Sequence, residues 1–300
     1  KMPKITNKIF ISILLIVFSA IILGTTTYAW FTLNNTNKVE SFSATVTAGE
    51  GLDMSLDGIN WFTNLSTEHI NGYLFNGYDI ESTHYPPQYP SFKYQANTSV
   101  DGKTIKGYDD SAASGYIQFN LKIRTKNSEK LVIYWKEATL FSTGKLWSCD
   151  VSSFVNAKGE TITSDSGAIR YYAADSTRIS VIKAGSSDSP IIYELPTSAS
   201  NTELGSLDAA DLTNAYGAVN YYHVKTGDYP LRVEEVSVPA AVTTQDALGG
   251  ASLLSLTQEG QYYVGTVTIR IWVEGWDPDC LNFVLGDALT VGLAFEARAS

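Results

Sequence analysis

Cysteine is nearly absent from this 300-residue chain, which holds only Cys149 and Cys280. A disulfide-dense scaffold and a cysteine-rich zinc site are therefore excluded. Histidine is almost as scarce: His69, His84 and His223 lie far apart, and none has a partner at metal-ligand spacing. No G-x-S-x-G elbow, P-loop or dinucleotide fingerprint occurs, so nothing marks nucleophilic, phosphoryl-transfer or hydride chemistry. A hydrolase using two distant carboxylates is open to any acidic chain, but no pair stands out. Positive charge is also short, with 21 Lys and Arg against 31 Asp and Glu. Nucleic acid, which needs clustered basic residues, is not an expected partner.

Long apolar runs are missing with one exception, and that exception opens the chain. Lys1, Lys4 and Lys8 precede a nearly unbroken run from Ile9 to Leu23, followed by small residues ending at Ala29. This is the three-part layout of an export signal. At 15 residues the run falls short of the roughly 20 apolar residues a bilayer span needs, although a helix continued to Ala29 reaches roughly 30 Å. Residues 1–29 are thus an export signal or a retained hydrophobic helix, and both place Trp30 onward outside the cytoplasm, in the extracellular space or on the cell surface. In the retained case Ile9, Ile13, Ile16, Val17, Ala20 and Leu23 would line a filament core, as in pilins. The basic start Lys1–Lys8 argues against that version. Without the three lysines of residues 1–29, 18 basic side chains remain against 31 acidic ones, a formal net charge of −13. Such acidity favours solubility outside the cell.

What is plentiful is β-forming sequence: 44% of residues are hydrophobic and 12% aromatic, ample for a core. Phe42, Ala44 and Val46 alternate with small polar residues, and Leu52, Met54 and Leu56 alternate up to a turn at Asp57-Gly58. Strand patterns return at Tyr116–Thr125, Leu131–Phe141, twice within Ser166–Lys183, at Gln261–Glu274 and at Leu289–Ala297. The Tyr-, Gly- and Pro-rich residues 59–114 and the Ser-rich residues 185–227 read as insertions, the second with one short helix near Leu204–Tyr216. The expectation is an all-β protein: a jelly-roll-like β-sandwich over residues 30–300 with long loop insertions, preceded by the hydrophobic helix. Strands next to both chain ends raise the problem of an exposed sheet edge.

Four local features offer chemistry, each with a plainer reading beside it. Glu274, Asp277 and Asp279 could give oxygen ligands to calcium, but they lack a dedicated calcium-loop spacing and fit a turn around Pro278. Tyr85-Pro-Pro-Gln-Tyr-Pro90 could be a carbohydrate platform or a rigid loop packed by its own rings. Arg170, Arg178 and Arg270 stand among strand residues, as solvated or sheet-bridging charges. Cys149 and Cys280 are a candidate disulfide, worth about 3–5 kcal/mol if closed, or two buried thiols. No cofactor, metal or catalytic set is expected.

The junction Tyr28-Ala29-Trp30-Phe31, followed by Thr47-Ala48-Gly49 and Leu52-Asp53-Met54-Ser55, resembles the start of the TasA/camelysin family of exported bacterial fibre proteins. The C-terminal VTIRIWVEGWDPDC and LTVGLAFEA are similar to larger relatives; the middle of the chain carries no likeness. The resemblance implies a jelly-roll subunit, cleavage by a signal peptidase at Ala29/Trp30, and a homopolymer in a biofilm matrix built by donor-strand exchange. The donated segment would be Trp30–Val39, anchored by Trp30, Phe31, Leu33 and Val39. A metalloprotease activity attached to some camelysin-like proteins is not carried over, because the metal-binding spacing is missing. The expected function is a non-enzymatic filament or matrix subunit whose partners are copies of itself and, beyond them, cell-surface or matrix components. A pilin-like subunit and a surface-anchored adhesin are the alternatives.

Overall fold

A computed structural model describes residues 41–74, 115–196, 214–227, 229, 240–281, 284 and 286–299, with the backbone of four short strands between residues 82 and 106. The hydrophobic run, Ala29/Trp30, the anchors Phe31, Leu33 and Val39, and the tyrosine-proline run at 85–90 lie outside the described residues. What is described is mostly β-strand with few helices.

The strands are β1 (Ser41–Ala48), β2 (Leu52–Ser55), β3 (Asn64–Leu65), β4 (Ser82–His84), β5 (Lys93–Tyr94), β6 (Thr98–Ser99), β7 (Ile105–Lys106), β8 (Ile117–Thr125), β9 (Val132–Ser142) and β10 (Lys145–Ser148). There follow β11 (Ser153–Val155), β12 (Thr161–Thr163), β13 (Ala168–Tyr171), β14 (Thr177–Lys183), β15 (Ile191–Tyr193), β16 (Ser252–Ser255), β17 (Thr257–Glu259), β18 (Tyr262–Glu274) and β19 (Ala288–Arg298). The α-helices are α1 (Thr67–Asn71), α2 (Gly217–Thr226) and α3 (Gln245–Leu248).

Two sheets share one core. The first has the order β16-β9-β19-β1-β3. In the second, β18 is central, flanked by β14 and then β15 on one side and by β8 and then β2 on the other. The strand β17 pairs with the start of β18, and β4 with its end. Period-two alternation drives this packing: Ile117, Phe119, Leu121 and Ile123 of β8 turn inward while the residues between them turn out. They meet Ala44, Val46, Trp135, Val291, Leu293 and Phe295 of the facing sheet in a single buried cluster.

Among the described residues, the first and last strands are not at a sheet edge. β1 runs parallel to β19 from Ser41↔Ala288 to Ala48↔Phe295, and β19 lies in the middle of its sheet. β1 and β2 do not pair with each other: the Gly49–Gly51 turn carries the chain from one sheet to the other.

Short segments close both sides of the two-sheet core. On one side, Phe62 bridges Met54 in the second sheet, Asn64–Leu65 pairs with β1, and the Thr67 hydroxyl both donates to the Ala44 carbonyl and accepts from its amide. On the other, Val242 bonds to β15, and the Gln245 side chain acts as a substitute strand for Ala138. Its Oε1 accepts from the Ala138 amide at 2.9 Å and its Nε2 donates to the Ala138 carbonyl at 2.8 Å. These contacts occupy backbone groups that would otherwise recruit another strand.

A second, smaller core was not foreseen in the sequence. The β10–β13 and β11–β12 ladders and α2 gather Trp147, Phe154, Tyr171 and Tyr221, with ring centroids 5.3–6.0 Å apart in edge-to-face arrangements. The described helix begins at Gly217, just past the expected Leu204–Tyr216, most of which lies outside the described residues. Gly217 has φ +63°, and a Cβ there would come within 2.4 Å of the Pro278 carbonyl oxygen, so glycine lets α2 dock against the Gly275–Cys280 turn.

Candidate functional site

The outer face of the second sheet carries the most unusual chemistry. Arg178 on β14 opposes Trp272 on β18 and is fully buried, in contrast to the solvated charge its strand context suggested. Its Nε and Nη2 donate to Glu194 Oε2 at 3.0 and 2.7 Å. Two further carboxylates face it at longer range, Glu274 at 3.8 Å and Asp277 at 3.6 Å. The sheet-bridging half of the sequence reading holds, because Arg178 ties β14 to the residue after β15 and to the end of β18.

The Gly275–Cys280 stretch is a turn, as Pro278 implied, and its Asp277, with Glu274 just before it, is turned toward Arg178. Glu274 accepts from Trp272 Nε1 at 3.1 Å and from the Trp276 amide at 3.3 Å, and Asp277 accepts from the Asp279 amide at 2.9 Å. Burial pushes the Asp277 carboxyl well above the usual carboxylate range; Arg178 opposes this shift and Asp279 adds to it. Among the described residues, no group of three or more His, Cys, Asp or Glu is placed to hold a metal ion.

A pocket of about 260 Å³ opens next to this cluster. One wall is β13 with the residue after it (Ile169 to Tyr172), another is the β11–β12 turn (Asn156 to Lys158, with Glu160), and Asp175 and Asp279 complete it. Asn156 uses its side chain to shape the turn, accepting from the Lys158 and Glu160 amides and donating to Glu160 Oε2. Arg170 donates to the Thr143 and Gly144 carbonyls. Burial, with added charge from Cys149, Asp279 and Glu160, pushes the Tyr171 phenol up to about 12.

Asp287 locks the pocket side of the molecule to the main core. It accepts from the Thr143 hydroxyl and from the Gly144, Ala173 and Ala288 amides. Burial opposes its charge, but these bonds and one from Ser142 hold its carboxyl below the usual range.

The remaining sequence candidates fall in separate places. Cys149 and Cys280 are both buried and no disulfide joins them: Cys149 belongs to the small core and Cys280 to the main one. This corrects the disulfide expectation in favour of two buried thiols. His69 belongs to the α1 capping box, with Ser66, and packs against Phe62, while His223 stacks on Tyr229 at 4.0 Å. Asp57 closes a turn by accepting from the Ile59 and Asn60 amides, and these bonds pull its pKa down. Arg270 bonds Gln118 across β18 and β8.

The buried Arg178 cluster and the pocket were missed. One signal for the cluster was present: three acids within six residues, interleaved with Trp272 and Trp276, are acids held against large apolar surfaces. No protein-family model, curated protein or solved structure matches the chain.

Proposed function

We propose that this chain is a structural subunit of an extracellular bacterial filament or matrix fibre, polymerising when Trp30–Val39 of one copy pairs as a strand with the next. It has no enzymatic role in this reading, and its main partner is itself. The two-sheet core is read as a jelly roll, supported by the way β1, β2 and β3, and later β8 and β9, alternate between the sheets.

The observation that carries the reading is the closure of the core beside the point where the chain enters it. The outward backbone groups of β1 at Ala44, Val46 and Ala48 are taken by Thr67, Leu65 and Thr63 of the same chain. Copies therefore do not add edge to edge along that stretch, and a chain built to polymerise needs a separate element. The aromatic and aliphatic residues at 30, 31, 33 and 39 directly precede β1 and give a donated strand its anchors.

Two measurements on protein from culture medium test this. N-terminal sequencing should begin at Trp30, and electron microscopy should show fibres that vanish when Trp30–Asn37 is deleted while the melting temperature holds. A retained Lys1 in fibres would transfer the reading to a pilin-like helix core. Unchanged fibres after the deletion would refute strand donation.

A further inference from the structure

The pocket between the β11–β12 turn and β13 is a site for which filament assembly has no use. Its wall mixes hydrogen-bond donors and acceptors: Lys158 and Arg170 donate, Glu160, Asp175 and Asp279 accept, and Tyr172 does both. Tyr172 lines this pocket and is 39% exposed, so part of its ring is open to solvent. Gly144 permits this: a Cβ there would strike the Tyr172 ring at 2.7 Å and Arg170 Cγ at 2.8 Å.

We infer that this pocket binds one pyranose ring of a neutral saccharide, its hydroxyls held by the charged wall and its C–H face lying on Tyr172. Four alternatives fit less well. Phosphorylated ligands present only acceptors and would meet three carboxylates. An ammonium ligand presents only donors and would meet Arg170 and Lys158. A hydrophobic ligand would strip water from five charged groups without replacing their hydrogen bonds. A divalent cation lacks a ligand set among the described residues. Sugar hydroxyls both donate and accept, so of these five classes the saccharide matches a wall of mixed sign best, and the sugar ring's less polar face suits an aromatic side chain. The volume lies below the roughly 300–1,000 Å³ of sites for drug-sized ligands, which sets the fit at a single ring.

The site is independent of how copies assemble, so it stands or falls separately from the filament reading. The test is a titration of the full secreted protein with methyl glycosides of glucose, galactose, mannose and N-acetylglucosamine, followed by saturation-transfer NMR. Inorganic phosphate and ethylammonium serve as the charged comparisons. At least one neutral glycoside should saturate in the millimolar range. Tyr172→Ala should weaken it at least about tenfold, a loss of one good contact, while Tyr172→Phe keeps most of the binding. Tyr172 is exposed, so the melting temperature of both variants should match the parent. The inference is overturned if no glycoside saturates by about 10 mM, if only phosphate or ethylammonium binds, or if Tyr172→Ala binds as the parent does.

Discussion

At the scale of single residues, the outer face of the second sheet holds more buried acid than buried base. Arg178 donates two short bonds to Glu194 and also faces Asp277 at 3.6 Å and Glu274 at 3.8 Å, so one buried cation is shared among several buried carboxylates. The raised pKa of the Asp277 carboxyl follows from burial first. The folded protein therefore keeps a proton that the unfolded chain releases near pH 4. Stability is at its fullest below that pH and declines as pH rises through the folded value, by at most about 1.4 kcal/mol per pH unit for one proton. In Asp277→Asn the decline should flatten. Melting temperatures of parent and variant between pH 4 and 8 check this, and parallel curves would show that Asp277 ionises as an exposed acid does. Removing Glu194 would take the nearest carboxylate from a guanidinium already stripped of water, leaving it only the longer contacts to Glu274 and Asp277.

At the scale of elements, the side chains that stand in for strands decide where the sheets stop. Gln245 in α3 satisfies both backbone groups of Ala138 in the middle of β9. Gln245→Ala should cost about 1–3 kcal/mol, the penalty for leaving buried polar groups unmatched, and should raise the tendency to aggregate through the opened edge. Urea unfolding and light scattering measure the two effects, and an unchanged midpoint would mean that water replaces the amide without cost. Elements with strict alternation were legible in the sequence: β1, β8, β9, β18 and β19 sit within a few residues of their expected positions. Their apolar faces specify the core without help from neighbours. The short strands β10, β11, β12 and β16 were not legible, because three or four residues carry few positions for a period to show; β2, equally short, was legible because Leu56 and the Asp57-Gly58 turn extend its alternation. Nor did local pattern reveal that β1 rests on β19, a pairing 247 residues apart fixed by the closing of the whole core. For the same reason Arg178 gave no sign of burial, since what covers it comes from β15, β18 and the turn after β18.

At the scale of the whole molecule, if copies assemble as proposed, the surplus of acid sets the terms on which they meet. Residues 30–300 carry 31 acidic side chains against 18 basic ones, so two copies repel before any strand can be exchanged. That repulsion reaches about 30 Å at 0.01 M salt and about 8 Å at 0.15 M, whereas paired strands lie about 5 Å apart. Salt therefore removes most of the barrier to approach while leaving the hydrogen bonds and apolar contacts of a donated strand almost untouched. Fibre growth followed by light scattering should be slow at 0.01 M sodium chloride and markedly faster at 0.15 M, with fibres of the same width by electron microscopy. Lowering the pH toward 5 at low salt should act in the same direction, because it neutralises part of the surplus. A rate that ignores both salt and pH would place the limiting step inside one subunit, in the release of Trp30–Val39, and would separate the chemistry of assembly from the charge of the surface.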